Sequence, residues 1–258
     1  MTKILLSGCL GRMGRAVTEA AMAHPDRFTI VGGIDVGASA GAILPFPVYA
    51  ALSDIPETAE RPDVIIDFSH HSALPALLEY GTRLGLPLVI ATTGHTEEEL
   101  SAMHEASKSA AIFFSRNMSL GINLLILLCR KAAAILGEDF DIEIIEKHHN
   151  KKLDAPSGTA LMLADAIREE FSDGKDYVFD RTQTRKARDV SEIGIHSIRG
   201  GTIVGEHDVL FAGKDEKITI AHSATSREVF ATGSLKAAEF MVGKKNGMYD
   251  MNSLLSEE

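Results

Sequence analysis

The sequence predicts an α/β chain in which a doubly wound parallel sheet is joined to a smaller α+β domain. Three observations lead there. Short β-branched runs alternate with helical segments through the first half, and a glycine-rich turn separates the first strand from the first helix. After residue 119 the alternation gives way to one long apolar helix and, later, three closely spaced strand-like runs. At 258 residues there is enough chain for two modest cores.

The apolar runs at 4–6, 28–34, 64–68, 86–90 and 112–114 have the composition of strands buried on both faces. Between them, 12–23, 73–83 and 97–109 read as helices, the last opened by Thr96 as an N-cap. Each helix carries the chain back to the starting edge, so the strands pair in parallel. Beyond Ser119 come a long apolar helix over 120–136, a strand over 141–147, a basic loop, and a helix from about Pro156 to Phe171. Residues 172–190 are polar and read as a mobile loop. The runs 193–199, 208–212 and 217–223, joined by glycine-bearing turns, predict a mixed or antiparallel sheet. A final helix over 228–241 returns to the first domain.

Composition narrows the function. With 36 acidic against 26 basic residues the net charge is -10, which disfavours nucleic acid and anionic membranes as partners. A small anionic substrate remains open, because local charge decides its binding. Cys9 and Cys129 are too few for a disulfide framework or a tetrathiolate zinc site, and no metal is expected. No unbroken run of 18 apolar residues occurs, and the run at 3–7 is too short for a signal-peptide core. The expectation is a cytoplasmic protein.

Residues Gly8, Cys9, Leu10, Gly11, Arg12, Met13 and Gly14 form G-x-x-G-x-x-G between the first strand and the first helix. Glycines there let the backbone approach a pyrophosphate at the helix N-terminus, the Rossmann mode of dinucleotide binding. A plain βα turn explains the glycines equally well until Asp35 is added. That residue ends the second strand 21 positions beyond Gly14, where a carboxylate accepts hydrogen bonds from the adenosine ribose. Val36 and Gly37 follow it with no basic side chain to meet a 2′-phosphate, so NADH is expected to serve at least as well as NADPH. Arg12 or Arg15 could reverse this from the glycine loop. Ala91, Thr92 and Thr93, and Ser115, Arg116, Asn117 and Met118, follow two further strands and suit contact with the nicotinamide end. His70 and His71 read as solvent-facing and are left out of the site.

The most informative stretch is E-K-H-H-N-K-K-L-D-A-P-S-G-T-A, residues 146–160. Pro156 suits the first turn of the next helix, which leaves Ser157, Gly158 and Thr159 offering N–H groups to an anion. Lysine and histidine beside such a helix start describe a pocket for a carboxylate that must also receive a proton. A solvated basic loop is the alternative. A metal site is disfavoured, because adjacent histidines do not share a helix face and lysines repel a cation.

Together with the glycine loop, the A-T-T-G turn, the N-M-S segment and G-G-T-I-V-G-E-H at 200–207, this stretch resembles the dihydrodipicolinate reductase family over essentially the whole chain. Met118 and Val36 depart from some members. The resemblance implies a dinucleotide-binding domain of residues 1–119 plus 231–258 around an inserted substrate-binding and tetramerisation domain, 120–230. It implies a homotetramer, and hydride transfer to the cyclic dicarboxylate 4-hydroxy-tetrahydrodipicolinate with loss of water. It also implies proton-transfer roles for His148 and Lys152, and substrate binding by His149, Gly158 and Thr159. Cofactor and substrate would lie on different domains, with hinges near Ser119 and Ala231. Rival readings are another two-domain dehydrogenase of the aspartate dehydrogenase kind, and a non-catalytic dinucleotide sensor; neither accounts for the H-H-x-x-K…P-S-G-T block as well.

Overall fold

The computed structural model describes residues 1–38, 44–183 and 185–256. The first segment runs β1 (Thr2–Ser7), α1 (Arg12–Met22), β2 (Phe28–Ile34), β3 (Val48–Tyr49), β4 (Val64–Asp67), α2 (Leu74–Leu84), β5 (Leu88–Ile90), α3 (Glu97–Ala106) and β6 (Ala111–Phe114). Side chains on a strand alternate between faces, and here both faces are covered. Ile4, Leu6, Val64, Ile66, Val89 and Phe113 pack into one core layer, while Leu5, Ile65, Leu88, Ile90 and Ile112 pack into the other. That is why these strands read as unbroken apolar runs. Helix α3 opens on a capping box: the Glu99 N–H donates to Thr96 Oγ1 at 3.2 Å, and the Thr96 N–H donates to Glu99 Oε2 at 2.9 Å.

The chain continues through α4 (Leu120–Leu136), β7 (Asp141–His148), α5 (Gly158–Arg168), β8 (Asp176–Val178), β9 (Glu192–Arg199), β10 (Gly205–Ala212) and β11 (Lys217–Ala224). These strands form a five-stranded mixed sheet, β11-β10-β7-β9-β8, with β11/β10 and β10/β7 antiparallel and the other pairs parallel. By length and composition alone Leu120–Asp139 is apolar enough to cross a bilayer, a property core helices share. In this fold Ile122, Leu125, Cys129 and Ala133 of α4 join Ile142, Ile144, Leu163, Ile167, Val209 and Phe211 in one core.

Finally α6 (Glu228–Met241), β12 (Gly247–Tyr249) and α7 (Met251–Leu255) rejoin the first segment. The completed sheet is parallel throughout, in the order β12-β6-β5-β4-β1-β2-β3. Two compact units result, residues 1–120 with 227–258, and 121–226. The return falls at 226/227, not at 231, because α6 is one continuous helix whose Ala231, Leu235, Ala238 and Met241 all belong to the first unit's core.

Two further expectations need correction. Helix α5 begins at Gly158, so Pro156 precedes the helix and does not occupy its first turn. Ser157 is the N-cap, its Oγ accepting from the Ala160 N–H at 3.2 Å, and a serine cap starts the helix where that bond forms. The expected mobile loop, of which residue 184 lies outside the described residues, contains β8 and is held by charge. Arg188 donates to Asp141 at 2.7 Å and Glu143 at 3.1 Å, Arg181 pairs with Glu143 and Glu192, and buried Lys175 reaches Glu138 at 2.8 Å. Polar composition alone does not distinguish a solvated loop from a paired one.

Phe211 is fully buried in the second unit's core. Phe211→Ala is expected to destabilise that unit by about 3–5 kcal/mol, read as a lower urea midpoint by far-ultraviolet circular dichroism. An unchanged midpoint would count against this core assignment.

Candidate active site

The first unit gathers its candidates at the C-terminal edge of the parallel sheet. From β1 the chain moves to β2 on one side and then to β4 on the other, and ligands bind at such a reversal. Gly8 leaves β1 with φ +77°, and a Cβ there would stand 2.6 Å from the Phe68 carbonyl oxygen. Only glycine fits both demands. Helix α1 follows with Gly11 as N-cap and no acidic residue in its first turn, which leaves its N-terminus electropositive.

Asp35 stands at the end of β2 and is already engaged: Oδ2 accepts from the Leu10 N–H at 3.0 Å and Oδ1 from the Gly37 N–H at 2.9 Å. Each carboxylate oxygen keeps a further acceptor site, so hydroxyl recognition remains possible. Arg12 is exposed, and Arg15 folds back onto the Leu10 carbonyl at 3.2 Å. Cys9 and Met118 lie in the core, so their main chain is what they present to a ligand. Thr92 Oγ1 donates to Asp67 Oδ2 at 2.7 Å, and Ala91 N–H donates to the Asp67 carbonyl at 3.0 Å, while Thr93 is exposed. Ser115 Oγ donates to the Asn117 carbonyl at 2.8 Å, and Asn117 Oδ1 accepts from the Ser119 N–H at 2.9 Å, which shapes a closed turn with Arg116 outside. The open amides of α1 and the remaining acceptors of Asp35 fit a dinucleotide.

The second unit builds its candidates around a buried acid. Glu146 on β7 has no solvent exposure. Arg199 at the end of β9 grips it with two nitrogens, at 2.6 and 2.8 Å, and the Ser157 N–H donates to Oε1 at 3.1 Å. His148 Nδ1 stands 2.6 Å from Oε2. Burial opposes ionisation of Glu146, but hydrogen bonds from Arg199, Ser197 and His148 outweigh it and hold its pKa at about 2.

Arg199 also donates to the Asp154 carbonyl at 2.8 Å, and Asp154 in turn pairs with Lys152 Nζ at 2.9 Å. A chain of polar contacts thus links His148 to Lys152. Ser157 Oγ lies 3.1 Å from His207 Nε2, and the His207 ring stands edge-on to His148 with centroids 5.3 Å apart. His149 Nδ1 is buried with no protein partner among the described residues. Gly158 is exposed at the head of α5 with open space where a side chain would be, and Thr159 follows in the first helical turn. Burial lowers the His148 pKa, partly offset by Glu146 and reinforced by Lys152 and Arg199. Burial pushes His207 down to about 4.

His148, His149, Lys152, Gly158 and Thr159 therefore come from one strand end, one loop and one helix start. The dinucleotide candidates group separately in the first unit. Sequence reasoning assigned no role to Glu146, Arg199, His207 or Asp67. A signal existed for two of them: Glu146 continues the inward row Ile142, Ile144, and His207 the row Val209, Phe211. A charged or titratable group on the core face of a strand needs a buried partner.

Residues 2–118 match a family model described as dihydrodipicolinate reductase, N-terminus, and residues 121–255 match its C-terminus counterpart. The chain belongs to the dihydrodipicolinate reductase family. It is 52% identical to the 4-hydroxy-tetrahydrodipicolinate reductase of Caldanaerobacter subterraneus subsp. tengcongensis over 257 residues, covering 100% of this chain and 99% of the relative. The enzyme of that name from Clostridium tetani is 48% identical over 99% of this chain and 98% of its own. Among solved structures, a dipicolinate-bound dihydrodipicolinate reductase from Paenisporosarcina sp. TG-14 superposes with a TM-score of 0.79 at 25% identity, covering 98% and 99% of the two chains. As members of this family are oxidoreductases, the first unit's nucleotide-binding architecture serves a nicotinamide cofactor.

Two buried titratable groups of this unit, Glu146 and His207, both make stability fall as pH falls, in adjoining windows. Glu146 titrates below its ordinary 4.5, so its contribution is present above that pH and is lost as pH falls toward 2. His207 is held neutral, so unfolding takes up a proton as pH falls from 6.5 toward 4, and stability declines across that window by about 3 kcal/mol. Urea titrations between pH 7 and 4 are expected to show a shallower decline for His207→Gln than for the wild type. Parallel curves would remove His207 from this role.

Proposed function

We propose that the chain reduces 4-hydroxy-tetrahydrodipicolinate to tetrahydrodipicolinate, with loss of water, in the diaminopimelate route to lysine. The grouping of His148 and Lys152 with the α5 amides around buried Glu146 carries this reading, because it combines proton-transfer groups with a carboxylate-binding helix start. The names of the relatives support it, and a relative that binds dipicolinate, a planar ring dicarboxylate, supports the substrate class.

The reaction adds one hydride and one proton to the ring and releases one water. Bound NADH or NADPH supplies the hydride. The chain's own residues bind the dicarboxylate and manage the proton. His149 and the Gly158 and Thr159 amides hold the carboxylates, each charge-assisted bond being worth about 1.5–3 kcal/mol. Hydride addition leaves negative charge on the ring, which Lys152 quenches as general acid. Lys152 must first leave Asp154 Oδ1, and an incoming dianion competes with that carboxylate for it. The same dianion favours the protonated form of His148 and offsets the depression that burial causes.

The first unit, with Gly8, Cys9, Leu10, Gly11, Arg12, Met13, Asp35, Ala91, Thr92, Thr93, Ser115, Arg116, Asn117 and Met118, is the dinucleotide domain of this proposal. The second is its substrate and assembly domain. A cytoplasmic homotetramer completes the reading. Exposed Ile198 and Ile218 on the second sheet, and Leu124, Leu128 and Ile135 on α4, give that unit apolar surface for assembly.

NADH consumption is followed while the preceding pathway enzyme generates the substrate. NADH is expected to give a kcat/KM at least equal to that of NADPH, because Asp35 repels a 2′-phosphate; a tenfold preference for NADPH would overturn this. Lys152→Ala is expected to lower kcat by about 10²–10⁴, and His148→Gln to fall comparably. Near wild-type turnover of Lys152→Ala at saturating substrate would exclude Lys152 as the acid.

A further inference from the structure

The hydrogen bonds around Glu146 bear on a question the reaction leaves open: which nitrogen of His148 exchanges the proton. We infer that Glu146 is a positioning residue that fixes the proton of neutral His148 on Nδ1, so that Nε2 is the nitrogen facing substrate, with Gly205 keeping that edge of the ring clear. The inference rests on the proposed role of His148.

Geometry carries it. The Glu146 carboxylate takes two guanidinium nitrogens of Arg199 and the Ser157 N–H, charge-assisted donors that hold the acid ionised. A carboxylate has no proton to give, so the 2.6 Å contact to His148 requires Nδ1 to be the donor. Neutral imidazole has one N–H, and Nε2 is then the lone-pair nitrogen. Nε2 has no hydrogen-bond partner among the described residues, and the side chain keeps 11% of its surface exposed. The Nε2–Cδ2 edge runs past Gly205 at the start of β10, where a Cβ would lie 3.1 Å from Nε2 and 3.4 Å from Cδ2. Any side chain at 205 would crowd the reacting edge.

The other charged or titratable groups near the ring support one assignment. Arg199 on β9 and Lys152 in the loop lower the affinity of His148 for a second proton, Glu146 on β7 raises it, and His207 on β10 is held neutral by burial. Lys147, next in sequence, is committed to Glu206 at 3.0 Å and Asp208 at 2.9 Å. Arg199 thus does for the carboxylate what the carboxylate does for the ring: it holds a charge state so that an orientation follows.

The test reads the tautomer directly. The full-length protein is labelled with ¹⁵N-histidine, and the His148 ring resonances are assigned by their loss in His148→Gln. Above the His148 titration, the expected spectrum has a protonated Nδ1 and an unprotonated Nε2. A protonated Nε2 would overturn the inference, whatever the enzyme's activity. Glu146→Gln is expected to shift the titration downward by about one pH unit or more and to lower kcat about tenfold or more, with a wild-type far-ultraviolet circular dichroism spectrum as the check on folding. Unchanged titration and kcat in that variant would exclude Glu146 as a positioning residue. Should Glu146→Gln fail to fold, Gly205→Ala decides, because Gly205 has no left-handed φ that would strain an alanine and the change leaves the Glu146–Arg199 pair in place. It is expected to keep the wild-type tautomer and lose about tenfold or more in kcat; wild-type turnover would refute Nε2 as the reacting atom. Failure of the wild type to consume 4-hydroxy-tetrahydrodipicolinate would instead reject the proposed function, while the spectrum still reports the tautomer.

Discussion

A carboxylate removed from water must be met by cations and N–H groups, and in the second unit this requirement organises everything near it. Glu146 has lost all solvent contact, a desolvation that costs several kcal/mol unless partners restore what water gave. Those partners arrive from different elements: Arg199 from β9, Ser157 from the start of α5, His148 from the same strand two residues on. Satisfying one buried charge therefore fixes where a helix begins, where a strand ends and how a histidine ring is turned. Breaking the arrangement would leave an unpaired charge inside, so the geometry is held far more firmly than surface ion pairs would hold it.

The same logic extends outward with diminishing force. Arg199 reaches the Asp154 carbonyl, and Asp154 pairs with Lys152 at a partly exposed position where the pair can open. Burial thus grades the site from rigid to releasable. His148 lies near the rigid end and Lys152 near the releasable end. In the first unit a parallel device operates at Asp67, a buried carboxylate that takes the Thr92 hydroxyl and the Ser69 N–H and so ties two strand-end loops together.

Much of the architecture was legible in the chain itself. The unbroken apolar runs that became β1, β4, β5 and β6 could be read because burial on both faces leaves no room for polar alternation. Helix α4 matched residue for residue, since its length and apolarity admit no other element. Thr96 announced α3 because a threonine followed three residues later by glutamate satisfies two amides at once. Where reading failed, the reason was partnership. Residues 172–190 look like a solvated loop until Glu143 and Glu192, from other strands, neutralise Arg181 and Arg188. The start of α5 moved past Pro156 because the Ser157 side chain, not the proline ring, decides which carbonyl opens the helix.

By itself the sequence determined the periodicities, the glycine turn and the dense run of lysine and histidine at 147–152, all of which are local and survive in a linear string. What only the tertiary structure decided is which of those groups share a proton or a charge. Glu146 pairs across the sheet with Ser197 on β9 and His207 on β10, some fifty to sixty residues away, and strand register alone sets those distances. Charge states depend on neighbours and burial, and neither exists until the sheet has closed around them.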